Sequence, residues 1–345
     1  MPDRIRTADL EADRVLLTDL LSHNLSPVAG GRRFDWLYTE NPHGPARVWI
    51  AVEPGTGKGT GASAAFPRRL YVDGVLRLGY VLGDFCIDPE YRSLGLALQL
   101  QRACLEQLVS TSAVLSYDFP SDRMMAIYRR MKIAPMGQIV RWSKALRADR
   151  QIGKVAKRPQ LVRILSAPVN KLLEWKDIAF RSSQGWTIGE HRADCQEEFT
   201  LLARNVGSRY GTCVERSAEY LNWRYLRHPL VRYELLTARR GTELMSYVVF
   251  SQTEEDAKIV DLFGFGDTTM WNALMAHVLL RLRARAVLTV STPVLATDPW
   301  AGLLRKWGFR PREKSPVVVC ELGRTAATSQ DLPSPWFLMD GDRES

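Results

Sequence analysis

Residues 78–109 read LGYVLGDFCIDPEYRSLGLALQLQRACLEQLV, and a change of period inside this stretch decides the fold. It starts as a strand, since Tyr80, Val81, Leu82, Phe85 and Ile87 form an apolar run broken only by Gly83 and Asp84. Asp88-Pro89 ends it, because proline lacks an N–H for a ladder and restricts the residue before it. From Leu96 the spacing lengthens to i+4 through Leu100, Cys104 and Leu108, with Ala97 and Leu105 alongside, which is the pattern of an amphipathic helix. Between strand and helix stands Tyr91-Arg92-Ser93-Leu94-Gly95-Leu96-Ala97. A glycine-bearing loop at a helix N-terminus offers unpaired backbone N–H groups with the positive end of the helix dipole behind them. Such a loop is an anion site, and a phosphate group suits it.

Upstream, Leu70-Tyr71-Val72 and Val75-Leu76-Arg77-Leu78 flank Asp73-Gly74, a signal for a tight hairpin. Before that come a strand from Ala62 to Phe66, interrupted at Pro67, and a strand at Val48–Val52. A helix over Ala12 to His23 and a short first strand at Arg4-Ile5-Arg6 complete the N-terminal side. The glycine-rich segment Glu53 to Gly61 is not a P-loop: Val52 stands where its first glycine belongs, and Gly59 follows Lys58 in place of serine or threonine. It reads as a flexible hairpin loop. Downstream, Ala113–Tyr117 is a short buried strand, Ser121-Asp122 caps a helix through Met131, and Gly137 to Ser143 closes the half as a strand. This order predicts an α+β (mixed α/β) fold, with parallel strands in the middle of the sheet.

Arg92-x-x-Gly95-x-Ala97, set after a strand and an Asp-Pro stop and opening a helix, resembles the pyrophosphate loop of the GNAT superfamily, the CoA-dependent N-acyltransferases. The element order of residues 1–145 is similar to that family's as well. The resemblance implies that acetyl-CoA or another acyl-CoA is the co-substrate. Its pantetheine arm would pair with the backbone of Phe85, Cys86 and Ile87, and its pyrophosphate would take N–H groups of Ser93, Leu94, Gly95, Leu96 and Ala97. Arg92 would add charge-assisted bonds of about 1.5–3 kcal/mol each. The family often uses a tyrosine on the helix after its fifth strand as acid to the CoA sulfur, and Tyr128 holds that place. A phenol with a pKa of about 10 carries its proton at neutral pH. For the base the sequence leaves two carboxylates open, Asp84 in the strand and Glu40 in Tyr38-Thr39-Glu40-Asn41. Cys86 reads as a buried apolar residue, since direct transfer needs no nucleophile.

A weak second copy follows. Trp36-x-Tyr38-x-x-x-Pro42 returns as Trp223-x-Tyr225-x-x-x-Pro229, and Ile127-Tyr128-Arg129-Arg130-Met131 returns as Leu303-Leu304-Arg305-Lys306-Trp307, followed by Gly308-Phe309. This points to a tandem GNAT-like architecture. The chemistry does not return: Phe263-Gly264-Phe265-Gly266-Asp267-Thr268 lacks the arginine and the glycine spacing, and Leu304 replaces the tyrosine. Asp267 would repel a phosphate and serves better as a helix cap. The expected division is a CoA-binding half at 1–145, a basic helical connector at 146–182, a degenerate half at 183–325 and a polar tail at 326–345.

The chain has 345 residues, enough for two ordinary domains, and 46% apolar against 25% charged residues reads as globular. No apolar run predicts a transmembrane helix, and the charged start MPDRIRTADLEADR does not read as a secretory signal. Five scattered cysteines and five histidines without partners at ligand spacing predict neither a disulfide framework nor a metal site, and the expected location is cytoplasmic. The net charge of +9 is concentrated: residues 144–181 hold ten Lys or Arg against three acids. Its apolar residues fall on helical spacing, which reads as a linker helix packed between domains, with a membrane-surface helix as the alternative. The function expected is N-acyl transfer, acetyl transfer first, to an amine of a small molecule, sugar or peptide. The alternatives are a related transferase using aminoacyl-tRNA and a non-catalytic CoA-binding scaffold. Nucleic acid is not the expected partner, because the basic stretch lacks aromatic interleaving beyond Trp175.

Overall fold

The computed structural model describes residues 4–25, 31–156, 158–178, 185–322 and 335–344. The first half runs β1 (Arg4–Thr7), α1 (Arg14–Asn24), α2 (Gly31–Phe34), β2 (Arg47–Val52), β3 (Gly59–Val72), β4 (Val75–Ile87), α3 (Leu94–Val109), β5 (Leu115–Asp118), α4 (Asp122–Arg130) and β6 (Gly137–Ala145). Helices α5 (Asp149–Gly153) and α6 (Pro159–Ile178) connect it to the second half. There follow β7 (Thr187–His191), α7 (Glu197–Gly207), β8 (Thr212–Val214), α8 (Ala218–Leu221), β9 (Tyr233–Arg240), β10 (Glu243–Gln252) and β11 (Asp256–Gly264). The chain ends with α9 (Thr268–Ala284), β12 (Thr289–Leu295), α10 (Trp300–Lys306), β13 (Arg310–Glu321) and β14 (Trp336–Phe337).

Local chemistry explains most of these bounds. Asp73 and Gly74 both take left-handed φ, +48° and +78°, and close the β3–β4 hairpin with a turn whose twist matches the strands. Ser121 caps α4 through its Oγ, which accepts from the Met124 N–H at 3.3 Å. The interruption expected at Pro67 does not occur, and β3 runs through it. β2 begins with Arg47 opposite Ala65, so Pro67 lies where one side of β3 has no β2 partner, and a missing N–H is tolerated there.

Among the described residues the strands join in the order β1-β2-β3-β4-β5-β13-β6-β12-β11-β10-β9-β7, with β8 on β3 and β14 on β8. This order is symmetric about the β13–β6 pair. β4 and β5 run parallel, as do β11 and β12. The strand expected to close the first half goes instead into the second: β6 pairs with β12 from Ile139↔Leu295 to Ala145↔Thr289. In return the upper part of β13 pairs with β5, from Val318↔Asp118 to Glu321↔Leu115. Packing enforces the exchange. Val140, Trp142 and Leu146 lie in the core of the second half, and Val317 and Val319 in the core of the first. Each such side chain contributes about 1.5–3 kcal/mol by burial.

The repeated Trp-x-Tyr motif marks the same symmetry. Both copies form a π-helical turn, Asp35–Thr39 and Asn222–Leu226. The Trp36 and Trp223 rings stack at 4.8 Å. Each indole N–H donates to the other residue's carbonyl, at 2.9 and 2.8 Å. The motif therefore recurs because the two halves use it to hold each other.

Part of the stretch expected to be a polar tail is core. Trp336, Phe337, Leu338 and Met339 are buried, with Trp336 and Leu338 in the first half's core and Phe337 and Met339 in the second's. Four apolar residues in a polar stretch were too short a signal to mark this strand.

Candidate active site

β4 pairs with β5 only over Gly79–Val81, opposite Leu115–Tyr117, and the two then part. Near the point of parting β4 bulges against β3, where the register slips between Ala62 and Ala64, and Asp84 is left at φ +46°. A left-handed non-glycine residue costs about 1–3 kcal/mol and persists only when its surroundings hold it. Here Arg33 donates to both Asp84 oxygens at 2.7 and 2.9 Å, and the Tyr38 hydroxyl donates at 2.7 Å. Between the parted strands opens a cavity of about 610 Å³, walled by β4 from Leu82 to Ile87, by the start of α3, and by Asp118 to Ser121 with part of α4.

The loop read as an anion site forms the mouth of this cavity. Ser93 caps α3, its Oγ accepting from the Leu96 N–H at 3.2 Å. The first-turn amides of Leu94 and Gly95 have no intrahelical acceptor. A Cβ built on Gly95 would meet nothing nearer than the Ser93 Oγ at 4.0 Å, so the space before it is open to a ligand. Arg92 lies along the wall, its Nε donating to the Ile87 carbonyl at 3.2 Å. Phe85, Cys86, Ile87, Arg92, Ser93, Leu94 and Ala97 line the cavity, while Gly95 and Leu96 belong to the same turn without lining it. A strand edge leading to a helix mouth with a guanidinium beside it fits an elongated ligand ending in a pyrophosphate. Burial pushes the Cys86 thiol up to about 12, so it is no thiolate nucleophile at neutral pH.

The titratable groups divide differently from the expectation. Tyr128 is fully buried and stands behind the wall rather than in it. Its hydroxyl donates to Asp118 Oδ2 at 2.7 Å and accepts from Gln101 Nε2 at 3.2 Å. Asp118 does line the cavity, and burial raises its carboxyl from 3.8 to about 7. Burial, then the neighbouring Asp118, raises the Tyr128 phenol well above its usual range. Asp84 lines the cavity too, with its carboxylate committed to Arg33 and Tyr38. Glu40 is exposed and lies outside the cavity.

Sequence reading missed two carboxylates here. Asp118 ends a parallel strand, the edge of an α/β sheet where ligands gather, and that position was a usable signal. Glu344 had none. It comes from the far end of the chain and packs so closely on β4 that a Cβ on Gly83 would lie 2.5 Å from its Cγ. Burial raises its carboxyl, and the charge of Asp84 adds to the effect.

The matching place in the second half is filled. β11 pairs with β12 only over Asp256–Lys258, opposite Thr289–Ser291. Beyond that, Met339 bridges to Val294 and Gly341 lies against Tyr225 and Val260. Asp342 accepts from Arg216 at 2.9 Å, and Arg216 also holds Asp261 at 3.0 Å. The Tyr225 hydroxyl reaches Asp261 at 3.3 Å, a counterpart of Tyr38 on Asp84. Asp267 caps α9, accepting from the Met270 N–H at 2.8 Å. Among the described residues no group of three or more His, Cys, Asp or Glu is placed to hold a metal ion, and no helix is long and apolar enough to cross a membrane.

Residues 19–135 match the family model of the acetyltransferase (GNAT) domain. No curated protein matches the chain. The fold is similar to that of a probable N-acyltransferase from Enterococcus faecalis, with a TM-score of 0.67 and 14% identity over 94% of this chain and 73% of that one. It is also similar to a GCN5-related N-acetyltransferase from Anabaena variabilis, with a TM-score of 0.67 and 14% identity over 92% of this chain and 73% of that one. A third, from Kribbella flavida, gives 0.62 and 16% over 93% and 72%. At such identities the likeness speaks for the fold alone. The chain thus carries a match to the GNAT acetyltransferase domain over residues 19–135, within a fold similar to that of these N-acyltransferases.

Proposed function

We propose that the protein is an acyl-CoA-dependent N-acyltransferase, in the simplest form an N-acetyltransferase, whose reaction takes place in the cavity between β4 and β5. The observation that carries this reading is the parting of those strands directly above a capped, glycine-bearing helix mouth with Arg92 beside it. Residues 1–145 would hold the co-substrate, and residues 183–325 would support the site without a CoA of their own. The Ser93–Ala97 turn and Arg92 bind the pyrophosphate, and the free edge of Phe85, Cys86 and Ile87 takes the pantetheine arm. Acyl-CoA, when bound, supplies an acyl group activated as a thioester. The chain must then accept a proton from the attacking amine and return one to the leaving sulfur.

Asp118 and Tyr128 serve the second need as a pair. Tyr128 fixes the Asp118 carboxyl from behind, and Asp118, with its pKa near neutrality, holds a transferable proton at the cavity wall. Glu344 is the group left to receive the amine proton. Asp84, paired with Arg33, keeps the bulge in shape. The acceptor class is an amine of a small molecule, sugar or peptide.

Calorimetric titration with acetyl-CoA tests the reading. Binding by the native chain, lost in Arg92→Glu, is expected. No binding by the native chain would end the enzyme reading, and binding untouched by Arg92→Glu would move the site elsewhere. Thiol release in the presence of a panel of amines then identifies the acceptor.

A further inference from the structure

Helix α6 (Pro159–Ile178) turns its polar side to the protein and its apolar side to solvent. On a 3.6-residue period Ser166, Asn170 and Asp177 share one face, and that is the face that packs. Ser166 and Asp177 are covered almost completely. The Ser166 hydroxyl donates to Asp149 at 3.2 Å, Asn170 Nδ2 donates to Asp149 at 2.9 Å, and Asn170 Oδ1 accepts from the Ala148 N–H at 2.7 Å. Asp177 accepts from Lys144 and from Arg283, the latter at 2.6 Å. These bonds pin the helix to the start of α5 through Ser166 and Asn170, and to β6 and α9 through Asp177.

The opposite face carries Leu161, Ile164, Leu165, Leu172 and Trp175, which are 46%, 67%, 53%, 54% and 68% exposed. A contiguous apolar stripe of this kind on a soluble protein marks an interaction surface. Its borders are basic: Arg163, Lys171 and Lys176 are exposed on the helix, and Arg158 just precedes it. Glu174 is the only exposed acid on α6. A 20-residue helix is about 30 Å long, and this one is too polar to cross a bilayer.

We propose that α6 is a docking face for an anionic lipid surface, lying in the interfacial plane with its apolar stripe among the acyl chains. Charge selects this occupant. A second copy of the chain would bring Arg163, Lys171 and Lys176 against their own likenesses, with only Glu174 to answer them. A lipid headgroup layer supplies the missing negative charge to both borders at once, and Trp175 suits the boundary. Because the polar pins hold α6 flat on the protein, a partner cannot wrap it, whereas a plane can receive it.

The test is co-sedimentation of the full chain with vesicles of phosphatidylcholine alone and of phosphatidylcholine mixed with phosphatidylglycerol. Binding to the mixed vesicles at low salt, weakened at least tenfold by high salt or by omitting the anionic lipid, is expected. The double variant Ile164→Glu, Leu172→Glu should lose at least tenfold in binding. Its circular dichroism and melting should not change, because both side chains point to solvent. The Trp175 part of the emission, taken as the difference from Trp175→Phe, should shift to the blue on binding. No binding of the native chain to mixed vesicles at low salt overturns the proposal, as does binding that the double variant retains. If the native chain instead dimerises in sedimentation velocity and the double variant does not, with vesicles unbound, the face belongs to a second copy and the proposal fails.

Discussion

Replacing Asp118 by asparagine isolates the cost of keeping an ionisable group at the cavity wall. The amide keeps the size of the carboxyl, and its oxygen can still accept the Tyr128 hydroxyl, now at 2.7 Å from Asp118 Oδ2. What it removes is the charge. In the folded chain the carboxyl titrates at about 7 against an ordinary 3.8, so the folded state holds this proton more tightly than the unfolded state does. The sign follows: between pH 4 and 7 the unfolded chain loses its proton first, and native stability falls as pH rises. Above 7 both states are ionised and the loss is complete. At 1.36 kcal/mol per pH unit the gap amounts to about 4 kcal/mol. Urea unfolding of both proteins at a series of pH values measures it. Asp118→Asn should gain on the native chain steadily from pH 4 to 7 and stay ahead by a constant margin beyond. A difference that does not change with pH, or one that grows in the native chain's favour, would refute the reasoning. The acyl-transfer rate should show an inflection near pH 7 in the native enzyme and none in the variant.

Asp177→Ala removes the counter-charge of Lys144 and Arg283, whose side chains are each 8% exposed, and should cost about 3–5 kcal/mol in urea unfolding. A loss under 1 kcal/mol would show that the two cations are reached by water. Trp223→Ala deletes the stack on Trp36 between the halves and should cost about 3–5 kcal/mol, read in the same assay. In Gly341→Ala the new methyl would fall 1.9 Å from the Tyr225 hydroxyl and 3.2 Å from the Val260 carbonyl oxygen. The tail must then lift, which limited proteolysis should detect as a new cleavage near the C-terminus, and an unchanged digest would contradict that close approach.

The strand, loop and helix around Arg92 were legible because their signals are local. Leu78 to Val109 carries the strand, the stop, the loop and the helix in one run, and the helix begins after the capping Ser93 as the pattern required. The second copy was legible at its Trp-x-Tyr motif, which the fold preserves because each tryptophan hydrogen-bonds the other's backbone. What could not be read depends on residues distant in sequence. The destination of β6 is set by Val140 and Trp142 meeting a core built from β9 to β12, and nothing within residues 137–145 shows which half supplies that core. Tyr128 was legible as a residue type at a family position, but its depth was not, because that depends on Asp118 and Gln101 closing over it. Glu344 is the extreme case, a carboxylate near the chain end whose place follows only from the burial of residues 336–339 between two cores.

These long-range links explain why a half without an anion loop is still needed. The first sheet is completed by β13, which follows α10 of the second half, and the second sheet by β6 of the first. Residues 1–145 alone would therefore present a bare β5 edge and leave Val140 and Trp142 without their core, the kind of exposed edge that promotes aggregation. The tail adds a further dependence. Met339 and Gly341 occupy the gap between β11 and β12, and Asp342 is fastened there by Arg216 and, through it, by Asp261. Only from that anchor does the chain reach Gly83 two residues later with Glu344. Had the second half kept an open cleft, the anchor would have no seat, and the first cavity would lose Glu344. The filled gap of the second half and the place of Glu344 in the first cavity are thus two sides of one arrangement, in which the gap of one half anchors the segment that finishes the cavity of the other.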